Sequence, residues 1–220
     1  MKKEVIVTSD GSTSFFLPDW NESYHSKYGA VQEAYHVFIK NGLSLFKGQS
    51  VSVLEIGFGT GLNALITFLE SQHNYKKIEY TGVEAYPVEA YEVKKMNYPV
   101  VMNVAGLEEV FYKIHDCKWE IPIKISENFT LIKQQKFFHE IADENIFDII
   151  YFDAFGYRVQ PELWREEIFT KMFNALKSKG VLVTYACRSP IKKAMLASGF
   201  SVEKVPGPPG KREMLIAFKS

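Results

Sequence analysis

A glycine-rich turn is the feature of this chain with the clearest chemical purpose. The stretch Val51–Asn63 reads VSVLEIGFGTGLN, in which an apolar run ends near Glu55 and is followed by Gly57, Gly59 and Gly61. Glycines let the backbone turn tightly and approach a ligand closely, because they carry no Cβ. A strand, a glycine turn and a helix in this order hold nucleotide-like cofactors, although such turns also close purely structural junctions. The turn therefore predicts a cofactor site.

Two acids follow apolar runs and so mark the ends of predicted strands. Glu84 comes about twenty residues after the glycine turn, where an acid can accept both hydroxyls of a ribose. Asp153 follows the apolar run Ile149–Phe152, and ligands of open α/β sheets bind outside such carboxyl ends. Each acid could instead cap the next helix, although Pro161 places the helix after Asp153 further along the chain. The spacing favours a ribose contact for Glu84 and a place beside the reacting groups for Asp153.

A third chemically capable group is the basic, glycine-rich segment Pro206–Met214, which reads PGPPGKREM. Basic residues also lie on or before the preceding predicted helix. These charges can form a local phosphate-binding surface or remain ordinary solvated side chains, and the spacing alone leaves both open. The residues concerned are Arg188, Lys192, Lys193, Lys211 and Arg212.

Composition bounds the class of protein. The 220 residues suit one main domain, and the 26 basic and 26 acidic side chains balance, so no global field indicates a nucleic-acid partner. The two cysteines and five scattered histidines lack metal-ligand spacing, so no metal site is expected. No signal peptide or membrane-length apolar run is evident, which predicts a cytoplasmic location and no membrane contact.

Strands and helices alternate from Val51 onward, which predicts a mostly parallel sheet covered on both faces. We expect an N-terminal hairpin and helix in an extension over residues 1–45, followed by a main domain over 46–220. The chain ends in a predicted antiparallel hairpin, strand 200–204 and the final strand, which fits a class I methyltransferase better than a dehydrogenase. Strands are expected near 51–56, 79–84, 128–132, 147–153, 181–187 and 212–218, and helices near 61–71, 87–95, 104–115, 162–178 and 190–198.

Six segments together resemble the MnmC-like methyltransferase family, over nearly the whole chain and in the family's order. They are ESYHSKYGAVQEAYHVFIKNGL, LEIGFGTGLNAL, GVEAYPV, FDAFGYRVQPELW, GVLVTYACRSPIKKAMLASGF and GPPGKREMLIA. The resemblance implies a Rossmann-like class I fold that uses S-adenosylmethionine. It also implies N-methylation of 5-aminomethyl(-2-thio)uridine at the tRNA wobble position, giving 5-methylaminomethyl(-2-thio)uridine. No counterpart of the family's FAD-dependent domain follows KREML, which leaves a separate tRNA-modifying oxidoreductase open as a partner.

The resemblance also implies roles for individual residues. Asp153 would be the catalytic residue and would orient the acceptor amine, because its ordinary pKa of about 3.9 makes it a weak base. Tyr24 would lie in a lid over the cofactor. The cofactor-binding set would be Tyr24, Glu55, Gly57, Gly59, Gly61, Asn63, Glu84, Gln135 and Asp153. The substrate set would be Arg158, Arg188, Lys192, Lys193, Lys211 and Arg212.

The chain departs from the family pattern in two places. Gln134–Phe137 stands where relatives often have Gly-Asp, so Gln135 is only a substitute candidate for the adenine contact. Arg158 stands where relatives often have a lysine-asparagine pair. Three alternatives remain: a methyltransferase for a small molecule or protein, a non-catalytic tRNA- or cofactor-binding module, and, least favoured, a nicotinamide-dependent dehydrogenase.

Overall fold

The structure is a computed structural model and describes residues 2–220; Met1, the first residue of the expected extension, lies outside the described residues. The strands are β1 (Glu4–Val7), β2 (Thr13–Leu17), β3 (Glu22–Ser23), β4 (Ser50–Ile56), β5 (Lys77–Val83), β6 (Ile123–Ser126), β7 (Phe129–Gln134), β8 (Phe147–Phe152), β9 (Leu176–Thr184), β10 (Ser201–Pro206) and β11 (Glu213–Phe218). The helices are α1 (Ala30–Ala34), α2 (Leu62–Asn74), α3 (Ala90–Val93), α4 (Tyr98–Met102), α5 (Leu107–Asp116), α6 (Glu166–Ala175) and α7 (Ser189–Ala197).

An eight-stranded sheet runs in the order β10-β11-β9-β8-β4-β5-β7-β6. The five central strands are parallel, whereas β6 pairs antiparallel at one edge and the β10–β11 hairpin pairs antiparallel at the other. The expected mostly parallel sheet with an antiparallel C-terminal hairpin is therefore confirmed. The chain order reverses between β4 and β8, so the crevice for a ligand opens above their carboxyl ends.

Successive side chains of the central strands point alternately into two separate hydrophobic cores, one on each face of the sheet. On β4, Val51 and Val53 enter the core on one face of the sheet, and Leu54 and Ile56 enter the core on the other. A strand that is buried on both faces has a continuous run of apolar residues. This explains the apolar run before the glycine turn in the sequence. Because both faces of β4 are packed, the turn after Ile56 is held rigidly.

The helix expected over 162–178 is shorter in the structure. A 3₁₀ turn occupies Pro161–Trp164, α6 ends at Ala175, and Leu176 already pairs with β8. The next four residues bulge out of the ladder before pairing resumes at Val181, and Lys179 there adopts a φ of 65°. The strand expected over 181–187 therefore begins at Leu176 and ends at Thr184, which leaves the following residues free to line the crevice.

The N-terminal segment forms a second, three-stranded antiparallel sheet in the order β1-β2-β3. Asp10 fixes the turn of the expected hairpin, because its carboxylate accepts bonds from the Ser12 and Gln32 backbone N–H groups. Residues 18–29, here called the strap, run from β2 to α1, and a π-helical turn, Tyr35–Lys40, extends α1. Within residues 2–220 no helix is both long enough and apolar enough to cross a bilayer.

Candidate functional site

A cleft of about 640 Å³ opens above the carboxyl ends of β4, β5 and β8. The glycine turn forms its floor, and the strap covers one side of it. Glu84 and Asp153 both line this main cleft, as do Tyr24 and Asn63. Four predicted site residues from distant parts of the chain therefore meet in one cleft, and two of them, Glu84 and Asp153, lie at the edge of the sheet where the strand-end rule placed them.

The glycine turn depends on conformations and spaces that a side chain would destroy. Gly57, Gly59 and Gly61 adopt φ angles of 90°, 49° and 71°. A Cβ on Gly57 would lie 2.6 Å from the Asp153 carbonyl oxygen, so the turn presses directly against the end of β8. The result is a backbone cradle that leaves room for a ligand above it.

The Glu84 carboxylate is fixed by two backbone groups. One of its oxygens accepts a hydrogen bond from Gly59 N at 3.0 Å, and the other accepts one from Tyr86 N at 2.9 Å. Each carboxylate oxygen has a second lone pair, so the group can still accept two hydroxyl donors from the cleft.

Asp153 is held at the end of β8, half-buried on the wall of the main cleft. Its backbone N–H donates to the Ile56 carbonyl, and its carboxylate accepts a bond from the Asn63 side-chain amide at 2.8 Å. Burial raises the pKa of Asp153 to about 7, and the nearby Glu33 carboxylate acts in the same direction, whereas the Asn63 amide and Lys211 lower it. Near neutral pH this carboxyl can therefore both accept and release a proton.

Glu55 lies beneath the turn rather than on the cleft wall. Its side chain is completely buried, and burial raises its pKa well above the ordinary value, against the effect of the Tyr80 hydroxyl and the Asn63 amide. Among residues 2–220, neither of its carboxyl oxygens has a hydrogen-bond partner. Such unsatisfied buried oxygens suit a donor brought in by a ligand or water.

A second recess of about 560 Å³, here called the outer recess, adjoins the main cleft. The strap residues Tyr24 and His25, together with Tyr185 after β9, line both spaces. Tyr24 lies against Phe155, with ring centroids 5.0 Å apart. The outer recess also carries cations on its wall: Lys27, Arg158, Arg188 and Lys211.

A sequence profile described as "S-adenosyl-L-methionine-dependent methyltransferase" matches residues 90–220. The chain belongs to this family. Its relatives include proteins named tRNA 5-methylaminomethyl-2-thiouridine biosynthesis bifunctional protein MnmC. The one from Ralstonia nicotianae is 24% identical over 92% of this chain and 32% of its own length, and the one from Paracidovorax citrulli is 27% identical over 99% and 35%. This methyltransferase therefore spans about a third of the length of these curated relatives.

Solved structures agree with the fold of this methyltransferase. MNMC2 from Aquifex aeolicus superposes with a TM-score of 0.77 at 21% identity, covering 98% of this chain and 69% of the other. A methyltransferase from Pyrococcus furiosus superposes with a TM-score of 0.53 at 20% identity, covering 93% and 91%. Both support the Rossmann-like class I fold.

The residues of this methyltransferase fit its cofactor on structural grounds. The positive φ angles of the three glycines favour glycine in the turn, the Glu84 carboxylate is fixed at the cleft, and among residues 2–220 the Glu55 carboxyl oxygens have no hydrogen-bond partner. Gln135, the residue predicted to contact the adenine, does not lie at the cleft. Gln135 is exposed and does not line the cleft, and its N–H donates to Glu120, while Phe137, Phe138 and His139 form that wall.

The predicted substrate residues divide into three groups. Lys193 and Arg212 are exposed and Lys192 is partly buried, and none of the three lines the outer recess. Arg158 lines it but donates to the Trp20 and Asn21 carbonyls. Arg188 also lines it and is exposed, as is Lys27, which the sequence analysis did not select. Lys211 is turned inward and forms a 2.5 Å ion pair with Glu33.

Three site residues escaped the sequence analysis. His25 and Glu33 lie on the N-terminal segment, where no strand end or glycine turn marks them. Tyr185 follows Thr184 at the carboxyl end of β9, and the rule that selected Asp153 could have found it. Residues 2–220 bring together no group of three or more potential metal ligands.

Proposed function

We propose that this methyltransferase transfers a methyl group to the amine of 5-aminomethyl(-2-thio)uridine at the wobble position of tRNA. The observation that supports this most is the joining of the main cleft to an outer recess that is large, aromatic and lined with cations. A cofactor and a nucleotide can then meet near Asp153. The relatives are named for tRNA 5-methylaminomethyl-2-thiouridine biosynthesis, which supports this choice of acceptor.

The cofactor would be held by the floor and walls of the main cleft. Gly57, Gly59 and Gly61 would accommodate its methionine end above the cradle, with Glu55 beneath, and Glu84 would accept the ribose hydroxyls. When bound, S-adenosylmethionine supplies an electrophilic methyl group on its sulfonium. Tyr24 and Phe155 would exclude water from the space where the two ligands meet, because their rings close that side of the cleft.

Asp153 would hold an N–H of the acceptor amine and accept its proton. With an ordinary pKa near 3.9 the carboxylate would only orient the amine. Burial raises the pKa of Asp153 to about 7, which makes it a competent base at neutral pH. The proton would then leave to solvent through the main cleft, which Asp153 lines.

Contacts to the RNA backbone would come from the exposed cations around the outer recess. Arg188 lies 5.7 Å from the Tyr157 ring centroid, so a guanidinium and an aromatic face are presented together. Lys193 and Arg212 would extend this surface, and a tRNA-modifying oxidoreductase would supply the aminomethyl group. The neutral net charge fits a local patch rather than a basic face.

Methyl transfer to defined tRNA tests the proposal. Labelled S-adenosylmethionine would be supplied with tRNA from cells lacking this protein, and wobble nucleosides would be identified by mass spectrometry. We expect label in 5-methylaminomethyl(-2-thio)uridine, and none when the tRNA comes from cells that contain the protein. Label only in small molecules or proteins would favour the first alternative. Cofactor binding without transfer to any of these would favour the non-catalytic one.

A further inference from the structure

The glycine turn is contacted from behind by a histidine that lies outside the main cleft. His115 belongs to the last turn of α5, and its ring nitrogen Nε2 lies 3.1 Å from the Thr60 carbonyl oxygen. The ring lines a separate cavity of about 150 Å³ behind the turn, whereas Thr60 lines the main cleft. His115 therefore touches the back of the cradle and not the space for the ligand.

The chemistry of this contact determines the form of the ring. A carbonyl oxygen only accepts hydrogen bonds, so Nε2 must carry the hydrogen that it donates to Thr60. Burial lowers the pKa of His115 to about 4, against the effect of the bond to Thr60 and together with that of the Lys133 ammonium. Near neutral pH the ring is therefore uncharged, with a hydrogen on Nε2 and none on Nδ1.

The position of the His115 ring is itself fixed by its neighbours. The Phe111 ring, one helical turn earlier, lies edge-to-face with it at a centroid distance of 4.7 Å. The buried Lys133 ammonium donates to the His115 backbone carbonyl, which ties the end of α5 to β7. A Cβ on Gly61 would lie 2.8 Å from Nε2, so the ring presses directly against the turn. The donor is therefore preorganised.

The turn needs such support, because it carries three glycines within five residues and glycine has the greatest backbone freedom. The Glu84 carboxylate holds the Gly59 N–H, and His115 holds the Thr60 carbonyl two peptide groups later. The Gly61 N–H belongs to the same peptide group as this carbonyl and bonds within the turn. The peptide group between Thr60 and Gly61 is therefore held at both ends.

We propose that His115 is a positioning residue for the cofactor: its Nε2–H fixes the peptide group between Thr60 and Gly61 and so holds the cradle in the shape that binds S-adenosylmethionine. Without this bond the turn would have to become ordered when the cofactor binds, and the cost of that ordering would reduce the affinity. The inference goes beyond the proposed function, because it concerns the cofactor and holds for any methyl acceptor.

Calorimetric titration with S-adenosylhomocysteine tests the proposal. His115→Phe keeps an aromatic ring beside Phe111 but has no donor, so it should weaken binding roughly five- to tenfold. His115→Gln can place an amide N–H near the position of Nε2 and should restore most of the affinity. Ile114→Val is the matched control, because it shortens a buried side chain of the same helix that cannot donate to the turn. It should lower the melting temperature and leave the affinity unchanged.

The second measurement is the ¹⁵N NMR spectrum of the His115 ring in the ligand-free protein at pH 7, where we expect a protonated Nε2 and an unprotonated Nδ1. A hydrogen on Nδ1 instead, or a charged ring, would overturn the proposal. It would also be overturned if His115→Phe bound S-adenosylhomocysteine as tightly as wild type, or if Ile114→Val lost as much affinity. If His115→Phe does not fold, the tautomer and the affinity of His115→Gln still decide, and a His115→Gln affinity more than about tenfold below wild type would reject the proposal.

Discussion

At the residue scale, two aspartates on one strand show how position decides chemistry. Asp148, near the start of β8, accepts a bond from the Ser52 N–H and pairs with Lys177 at 2.9 Å. Asp153, just past the other end of the strand, is half-buried at the cleft, and its carboxylate accepts a bond from a neutral amide, that of Asn63. The first is a structural ion pair, and the second is kept partly protonated near pH 7, as a general base requires.

The raised pKa of Asp153 predicts a pH-dependent stability. Its folded-state pKa of about 7 exceeds the unfolded value of 3.8, so its contribution to stability is present below pH 4 and lost as the pH rises through 7. The unfolding free energy of Asp153→Asn should therefore exceed that of wild type by about 2–4 kcal/mol at pH 8. At pH 4 this difference should be absent. Urea denaturation at both pH values measures the difference.

Asp148→Asn is the control for this comparison, because it breaks the Lys177 ion pair and should give no gain at pH 8. An Asp153→Asn gain of the same size at both pH values would show that packing, and not ionisation, causes the effect. Glu55 does not cancel completely from the difference, because the Asp153 carboxylate raises the Glu55 pKa and Asp153→Asn removes that part of the shift.

At the element scale, the glycine turn and the end of β8 form one unit. Gly57→Ala should weaken binding of S-adenosylhomocysteine at least tenfold and cost several kcal/mol of stability, because its Cβ would meet the Asp153 carbonyl oxygen at 2.6 Å. Calorimetric titration and thermal unfolding measure the two effects. Gly106→Ala shares the positive φ, at 77°, but has nothing within 4 Å, so it should cost about 1 kcal/mol and keep the affinity. Equal losses in the two variants would contradict this account.

The strap depends on a neutral histidine. His25 lies 2.9 Å from the Ser14 hydroxyl, and burial lowers its pKa to about 4. The folded-state pKa of His25 lies below its unfolded-state pKa of 6.5. The contribution of neutral His25 to stability is therefore present above pH 6.5 and is lost as the pH falls toward 4. When the pH is lowered from 7.5 to 4.5, the unfolding free energy of wild type should fall by about 2 kcal/mol more than that of His25→Gln. Urea denaturation at both pH values measures this difference. His73→Gln, on an exposed face of α2, should follow wild type; an unchanged slope in His25→Gln would reject the argument.

The sequence predicted those elements whose pattern is local. The apolar run at β4 and the acids that follow β5 and β8 are readable because strand ends and glycine turns obey short-range rules. The four-residue edge strand β6 has too short a pattern to predict, and α6 ends at Ala175 because of pairing between Leu176 and β8. Glu33 and Lys211 meet across 178 positions, so neither the inward turn of Lys211 nor the raised pKa of Asp153 is visible in the sequence.

At the scale of the whole molecule, the balanced net charge means that the tRNA binding proposed above would depend on a local patch of cations. If Arg188 contacts one phosphate as proposed, Arg188→Gln should reduce the dependence of log tRNA affinity on log salt concentration by somewhat less than one unit. Binding titrations at several salt concentrations measure this slope. Lys124→Gln is the control, because Lys124 lies on β6 at the opposite edge of the sheet from the hairpin and should leave the slope unchanged. An unaltered slope in Arg188→Gln would place the tRNA elsewhere.

The ion pair between Glu33 and Lys211 also fixes an order of assembly during synthesis. The strap leaves the ribosome long before the residues that fasten it, since its partner follows 178 positions later. β4, β5, β8 and the glycine turn can form meanwhile, because the contacts among them lie within residues 50–153. A nascent chain that ends before residue 211 should therefore be able to build the cradle but not the recess beside it. The protein would then become able to select an acceptor only at the end of synthesis, when the C-terminal hairpin packs against α1.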